Sequence, residues 1–236
     1  EVQDSMERVI AGPERKGRVL DERTRKTIAY HESGHALVGH MLEGADPVHK
    51  ISIISRGRAL GYTLSIPDED KVLNSRNEMR DELAVFLGGR VAEELFCDDI
   101  TTGASNDLER VTEMAKRMVT EWGMSEKLGL MTYGSNSQTV FLGKDMETHN
   151  TYSDETAKLI DEEMHSIIDT AHERAINILT ENRAVLDNMA RVLIEKETIY
   201  AEEVDMLMEG KSHTEVIQYM EEHDSSRAEN PFKRYE

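Results

Sequence analysis

Apolar residues recur every three or four positions in several long stretches of this chain, a pattern typical of helices with one buried face. The first stretch predicts a helix that begins near Asp21, a suitable N-cap, and ends at Gly44. The positions that share its apolar face are Ile28, His31, His35, Val38 and Leu42. We therefore predict a helix that turns two histidines toward the protein interior.

The period of the pattern changes after this helix. Apolar residues alternate from Val48 to Ile53 and again from Leu60 to Ile66, and glycines interrupt the pattern between the two stretches. Such alternation predicts two short strands in an irregular hairpin, which Pro67 ends.

The remaining stretches predict further helices. Ser75 and Glu78 form a capping box at the start of a second long helix that extends to Phe96. The pair Gly88–Gly89 inside it is costly for a helix, which indicates either close packing of the backbone or a break. Later helices are predicted from a cap at Ser105 or Asn106, and over 153–181, 183–195 and 201–208. The predicted fold class is mainly α, with a small hairpin or sheet beside the first helix and a C-terminal helical bundle.

Composition narrows the possible partners. The 236 residues include 28 Lys and Arg against 47 Asp and Glu, a net charge of 28 − 47 = −19. So acidic a chain repels nucleic acid and anionic lipid, and we predict no nucleic acid partner and no direct membrane contact by this chain. Its single cysteine fits a reducing compartment. No apolar stretch is long enough to span a bilayer, so we expect a soluble chain whose membrane anchor, if any, lies outside it.

The first helix carries the sequence His31-Glu32-Ser33-Gly34-His35, which matches H-E-x-x-H. Positions i and i+4 of a helix point the same way, so both imidazoles can reach one zinc ion about 2.1 Å away. Glu32 is next to the first histidine and can take a proton from a water whose pKa the metal lowers to about 7. Gly34 is predicted to leave room beside the metal.

A catalytic zinc site needs a third protein ligand. Glu93 and Glu94 lie on the second long helix, and their alternative role is a solvated helix face. Asp107 begins the third helix, where a negative charge also favours the helix N-terminus. The spacing of these residues leaves Asp107 and Glu93 open as the third ligand.

Several ordered motifs resemble the FtsH family of AAA+ zinc metalloproteases. The stretch 27–36 around the two histidines resembles its zinc helix, with serine at position 33 where the family usually has alanine. The stretches 88–94 and 101–108 resemble its second and third signatures, and 10–16 is similar to the segment that joins the ATPase to the peptidase. The resemblance covers about residues 5–210.

The resemblance implies a specific site. Its zinc ligands map to His31, His35 and Asp107, with one Zn²⁺ per chain, and its general base maps to Glu32. Glu93 or Glu94 would then support a histidine from beside the site. The edge of the hairpin would pair with extended substrate through Gly61, Tyr62, Thr63 and Leu64, although sheet packing alone also explains that strand.

The resemblance also implies a larger protein. We expect residues 1–20 to be a linker from a missing ATPase domain, 21–210 the zinc peptidase domain, and 211–236 a polar, disordered tail. ATP and Mg²⁺ would bind only in the missing domain, because this chain has no phosphate-binding loop motif. The full-length protein would be a homo-hexamer at the cytoplasmic face of the inner membrane of a bacterium, or in an organellar membrane, and would degrade unfolded or membrane-extracted polypeptides.

Two other functions remain compatible with the residues. One is a non-catalytic helical module that assembles a ring and whose metal site is vestigial. The other is a zinc hydrolase that acts on small amides.

Overall fold

The structure is a computed structural model, and it describes residues 20–57, 59–67, 72–133 and 152–229, with the backbone alone for 224–229. These ranges contain seven α-helices and one three-stranded antiparallel sheet, so the predicted mainly α fold is confirmed. The predicted linker 1–20, apart from Leu20, lies outside the described residues. No helix in the described ranges is both long and apolar enough to cross a membrane.

In chain order the elements are α1 (Glu22–Met41), β1 (Val48–Ser52), β2 (Tyr62–Ser65), α2 (Arg76–Phe96), a short 3-10 turn (Thr102–Ala104), α3 (Ser105–Thr120), α4 (Asp154–Glu181), α5 (Arg183–Lys196), β3 (Thr198–Tyr200), α6 (Ala201–Met208) and α7 (His213–Glu229).

The predicted starts of α1 and α2 are correct. The Asp21 side chain accepts a hydrogen bond from the Thr24 amide, and Ser75 and Glu78 form the reciprocal capping box of α2. The predicted end of α1 at Gly44 is wrong, because Leu42 already has an extended backbone. The helix therefore ends three residues before that glycine.

Helices α1 and α2 pack backbone against backbone. A Cβ atom at Gly34 would overlap the carbonyl of Gly88, and a Cβ at Gly88 would lie 2.7 Å from the carbonyl oxygen of Gly34. Only glycine permits such an approach, and α2 continues through Gly88–Gly89 without a break. Close backbone packing is thus the correct explanation of that costly pair.

The sheet has the strand order β2-β1-β3, so β2 lies at an edge. The predicted hairpin of β1 and β2 is confirmed, with Ile51 opposite Thr63. The third strand, β3, was missing from the sequence prediction because three residues between two helices carry too little alternation. It pairs with β1 through Ile199, which is opposite Ile51.

Two apolar clusters hold the elements together. The first lies between α1, α2, α3 and α4 and includes Leu37, Leu83, Val111 and Leu179. The second lies between α1, the sheet and the C-terminal helices and includes Ala36, Ile51, Met189, Ile199 and Val216. Helix α1 contributes to both clusters, so the residues on it are held from two sides.

The prediction of a disordered tail from residue 211 is wrong for His213–Glu229, which form α7. Val216 and Met220, one turn apart, are buried in the second cluster. Two apolar anchors are a weak signal in a polar stretch, which is why the helix was not predicted. The folded part therefore extends beyond residue 210, and residues 230–236 lie outside the described residues.

Candidate metal centre

The two histidines of α1 point the same way and meet at their tips. The distance between His31 Nε2 and His35 Nε2 is 3.1 Å. Each ring is fixed from behind through its other nitrogen, since His31 Nδ1 lies 2.7 Å from Glu93 Oε1 and His35 Nδ1 lies 2.7 Å from the Val85 carbonyl oxygen. A carbonyl oxygen only accepts, so Nδ1 of His35 donates a proton to it, and Nε2 is the nitrogen that is left to bind a metal.

Asp107 reaches the same point from α3. Its Oδ2 lies 3.3 Å from His31 Nε2 and 3.5 Å from His35 Nε2. The predicted cap at Ser105 or Asn106 is wrong, because the 3-10 turn leads directly into α3 and the Thr101 side chain instead accepts from the Gly103 amide. This turn brings Asp107, in the first turn of α3, over the histidines.

The spacing of the three atoms fits a zinc ion. They are 3.1 to 3.5 Å apart, and four ligands at about 2.0–2.1 Å in a tetrahedron are separated by about 3.3–3.4 Å. Two imidazoles and one carboxylate are also a donor set that zinc accepts with its fourth position left open. Among the described residues, these form the one cluster of three metal-binding side chains.

A glycine of α2 makes room for the histidine tips. A Cβ atom at Gly89 would lie 2.6 Å from His31 Nε2 and 2.5 Å from His35 Nε2. The sequence prediction gave this role to Gly34, and that was wrong, because Gly34 makes room for the backbone of α2 instead. Any side chain at position 89 would push the imidazoles out of place.

The two glutamates of α2 that were candidates for the site, Glu93 and Glu94, have different surroundings. Glu93 is 1% exposed and uses one oxygen for His31 and the other to accept from the Thr101 amide at 2.6 Å. Glu94 instead hydrogen-bonds His172 of α4 at 2.9 Å. Glu93 thus ties a candidate ligand to the loop before Asp107, whereas Glu94 does not contact the site.

Burial and hydrogen bonds compete in setting the pKa values of the site. Burial lowers the pKa of His31, but hydrogen bonds to Asp107 and Glu93 outweigh it and raise that pKa to about 10. Burial raises the pKa of Asp107 and of Glu93, yet their hydrogen bonds, chiefly to the histidines, hold both below the ordinary value. Both carboxylates are therefore ionised at neutral pH and favour a positive charge between them, which is a proton on His31 in the metal-free site or a metal ion that displaces it.

Glu32 lies next to this cluster without joining it. It is 7% exposed, and its Oε2 accepts a hydrogen bond from the Thr63 hydroxyl at 2.9 Å. Burial is the largest influence on the pKa of Glu32 and raises it, although the charges of His31 and His35 oppose the rise. A glutamate with a raised pKa holds a proton more readily at neutral pH than an exposed one, which suits a proton carrier.

The cluster opens into a cleft of about 1820 Å³. Residues 60–65, which include β2, line the cleft with parts of α1, α2 and α3. Pockets for small molecules measure about 300–1,000 Å³. The larger volume and the strand along the cleft fit an extended chain better than a small amide.

Replacing Glu93 with glutamine is expected to weaken zinc binding by about 10- to 100-fold, the usual effect of losing a partner that orients a metal ligand. Glu93 faces His31 with one oxygen and the Thr101 amide with the other. In glutamine an NH2 group, which only donates, replaces one of these oxygens, so one of the two hydrogen bonds is lost. Competition with a zinc chelator measures the change. Glu94→Gln is the matched control, since Glu94 contacts His172; equal affinities for the two variants would contradict the role of Glu93.

Comparison with known proteins agrees with the resemblance noted in the sequence. Peptidase family M41 matches residues 18–207. A protein named ATP-dependent zinc metalloprotease FtsH, from Slackia heliotrinireducens, is 62% identical over 208 residues, which are 88% of this chain and 27% of that relative. One named ATP-dependent zinc metalloprotease FtsH 1, from Conexibacter woesei, is 52% identical over 217 residues, 92% of this chain and 33% of that relative.

The chain spans about a third of the length of the curated relatives it matches. The match nevertheless includes every element from α1 to the end of α5 and most of α6. The chain therefore belongs to peptidase family M41.

Proposed function

We propose that this chain is the zinc metalloendopeptidase domain of an ATP-dependent, membrane-anchored protease that degrades unfolded or membrane-extracted proteins. One observation carries the proposal: His31, His35 and Asp107 converge within 3.1 to 3.5 Å, and a buried glutamate adjoins them. Membership of family M41 supports the same activity.

In this proposal one Zn²⁺ is held by His31, His35 and Asp107. When bound, it supplies a Lewis acid that polarises the scissile carbonyl and lowers the pKa of the attacking water to about 7. Glu32 takes the proton of that water and delivers it to the leaving amine. Glu93 and the Val85 carbonyl hold the imidazoles in place, so their lone pairs face the metal.

The substrate is proposed to bind as an extended strand along β2. That strand is at the edge of the sheet and lines the cleft with Gly61, Tyr62, Thr63 and Leu64. Backbone hydrogen bonds at a sheet edge are independent of side-chain identity, so such binding tolerates many sequences. This suits a protease that receives unfolded chains.

The rest of the function is proposed for the longer protein. The two relatives above are named as ATP-dependent, and this chain has no G-x-x-x-x-G-K-[ST] motif. ATP and Mg²⁺ would therefore act in a separate domain that threads substrate into the cleft. The resemblance further suggests a homo-hexamer at the cytoplasmic face of the inner membrane in a bacterium.

Cleavage of an unfolded protein tests this function. The zinc-loaded chain is expected to cut an unstructured casein, to stop after chelation and to recover when zinc is restored. A chain that holds zinc and cuts nothing would instead be the helical assembly module. A chain that cuts small amides but no polypeptide would be the small-amide hydrolase.

A further inference from the structure

A general base must be held in place, and the carboxylate of Glu32 is held from outside its own helix. A glutamate side chain has three rotatable bonds, so position 32 on α1 does not by itself fix the carboxylate. In the part of the chain that the structure describes, the carboxylate has one hydrogen-bond donor, Thr63 of β2, at 2.9 Å. The same hydroxyl lies 3.2 Å from the backbone carbonyl of Glu32. Thr63 thus reaches both ends of the residue.

The other carboxylate oxygen is confined by Gly61. A Cβ atom at Gly61 would lie 2.7 Å from Glu32 Oε1 and 2.9 Å from Glu32 Cγ. Gly61 is not among the glycines with positive φ, so its backbone conformation does not demand glycine. The close approach of the Glu32 side chain, together with Ile28 Cγ2 at 2.8 Å, is what excludes a side chain there.

The strand that carries these two residues is itself fixed. Thr63 is opposite Ile51 in the sheet, and Ile51 is fully buried in the second cluster against residues of α1. The distance from β2 to α1 is therefore set by the core and not by the hydrogen bond alone.

We propose that β2 positions the general base: the Thr63 hydroxyl and the Cα of Gly61 clamp the Glu32 carboxylate at the strand along which substrate binds. Thr63 is then a positioning residue, and one strand aligns both the peptide and the base. This inference rests on the proposed peptidase function.

The test compares four variants of the zinc-loaded chain on an unstructured fluorogenic peptide. Thr63→Val keeps the shape of the side chain but has no donor, and we expect kcat to fall on the order of 10-fold or more, because a hydrogen bond to a charged group is lost. KM should not change, because the proposed substrate contacts along β2 are made by the backbone. Zinc content should not change, because the hydrogen bonds of the Thr63 side chain go to Glu32 and to none of the three candidate metal ligands. Thr63→Ser restores the donor and should recover most of kcat. Thr170→Val, whose hydroxyl bonds the Ser166 carbonyl within α4, is the matched control and should match the unmodified chain.

The variant Gly61→Ala is a second, independent test of the positioning role of β2. Its methyl group would displace the carboxylate, so kcat should fall while zinc remains bound. If the unmodified chain is active and kcat is unchanged in both Thr63→Val and Gly61→Ala, the positioning role of β2 is overturned while the proposed peptidase function stands. A rise in KM at constant kcat would also overturn the positioning role, since that result assigns Thr63 to substrate binding. An unmodified chain that binds zinc but cleaves no peptide would overturn the proposed function and this inference with it.

Discussion

Glu32→Gln is expected to lower kcat for peptide cleavage by about 10²- to 10⁴-fold, the usual contribution of a general base. The glutamine amide has nearly the same shape as the carboxylate, so it fills the same buried place beside Thr63. It cannot accept the proton of the attacking water. Because Glu32 is not one of the three converging ligands, zinc content should equal that of the unmodified chain.

Rates on an unstructured peptide and zinc per chain, measured on the same samples, check this prediction. Glu173→Gln, an exposed change on α4, is the control and should have no effect. Retained turnover in Glu32→Gln would remove Glu32 from the proposed mechanism. Loss of zinc in that variant would instead make Glu32 a ligand.

Asp107→Ala is expected to weaken zinc binding by more than about 100-fold, since losing an orienting partner alone costs 10- to 100-fold. The change leaves two imidazoles whose tips are 3.1 Å apart and removes the carboxylate that faces both of them. Two protein ligands are one fewer than a catalytic zinc site needs. Cleavage should be lost with the metal.

Zinc content after dialysis against a weak chelator gives the direct measurement. Asp169→Ala, on the exposed side of α4, is the matched control. Unchanged zinc content in Asp107→Ala would contradict the proposed ligand set. Glu93, which already contacts His31, would then be the first alternative.

The two histidines of the candidate site could be predicted from the sequence because their arrangement depends on the local geometry of one helix. His31 and His35 are one helical turn apart, and the apolar stripe indicated which way they face. The third ligand could not be chosen this way. Asp107 meets the histidines only because α3 packs across α2, and such an approach leaves no periodic trace in the sequence. The family resemblance favoured Asp107 where spacing left it tied with Glu93.

The residues that hold the site were harder to predict for physical reasons. The partner of His35 is the backbone carbonyl of Val85, and any residue at that position supplies a carbonyl. The unusual Gly88–Gly89 pair did indicate close packing. The sequence could not show that Gly88 faces the backbone of α1 and Gly89 the imidazoles.

The sequence failed to predict strand β3 and helix α7 for the same physical reason. Strand β3 pairs with β1 from about 150 residues further along the chain, and its three residues carry almost no alternation. Helix α7 has two buried anchors, Val216 and Met220, and the partly buried Ile217 in a mostly polar stretch. In both cases long-range packing supplies the stability, so local sequence patterns are weak.

Anomalous scattering at the zinc absorption edge, from crystals of the zinc-loaded chain, tests the central proposal most directly. We predict one strong peak per chain, about 2.0–2.1 Å from Nε2 of His31, Nε2 of His35 and a carboxylate oxygen of Asp107. A zinc-loaded crystal with no peak between these three side chains, or with its peak at other residues, would contradict the account.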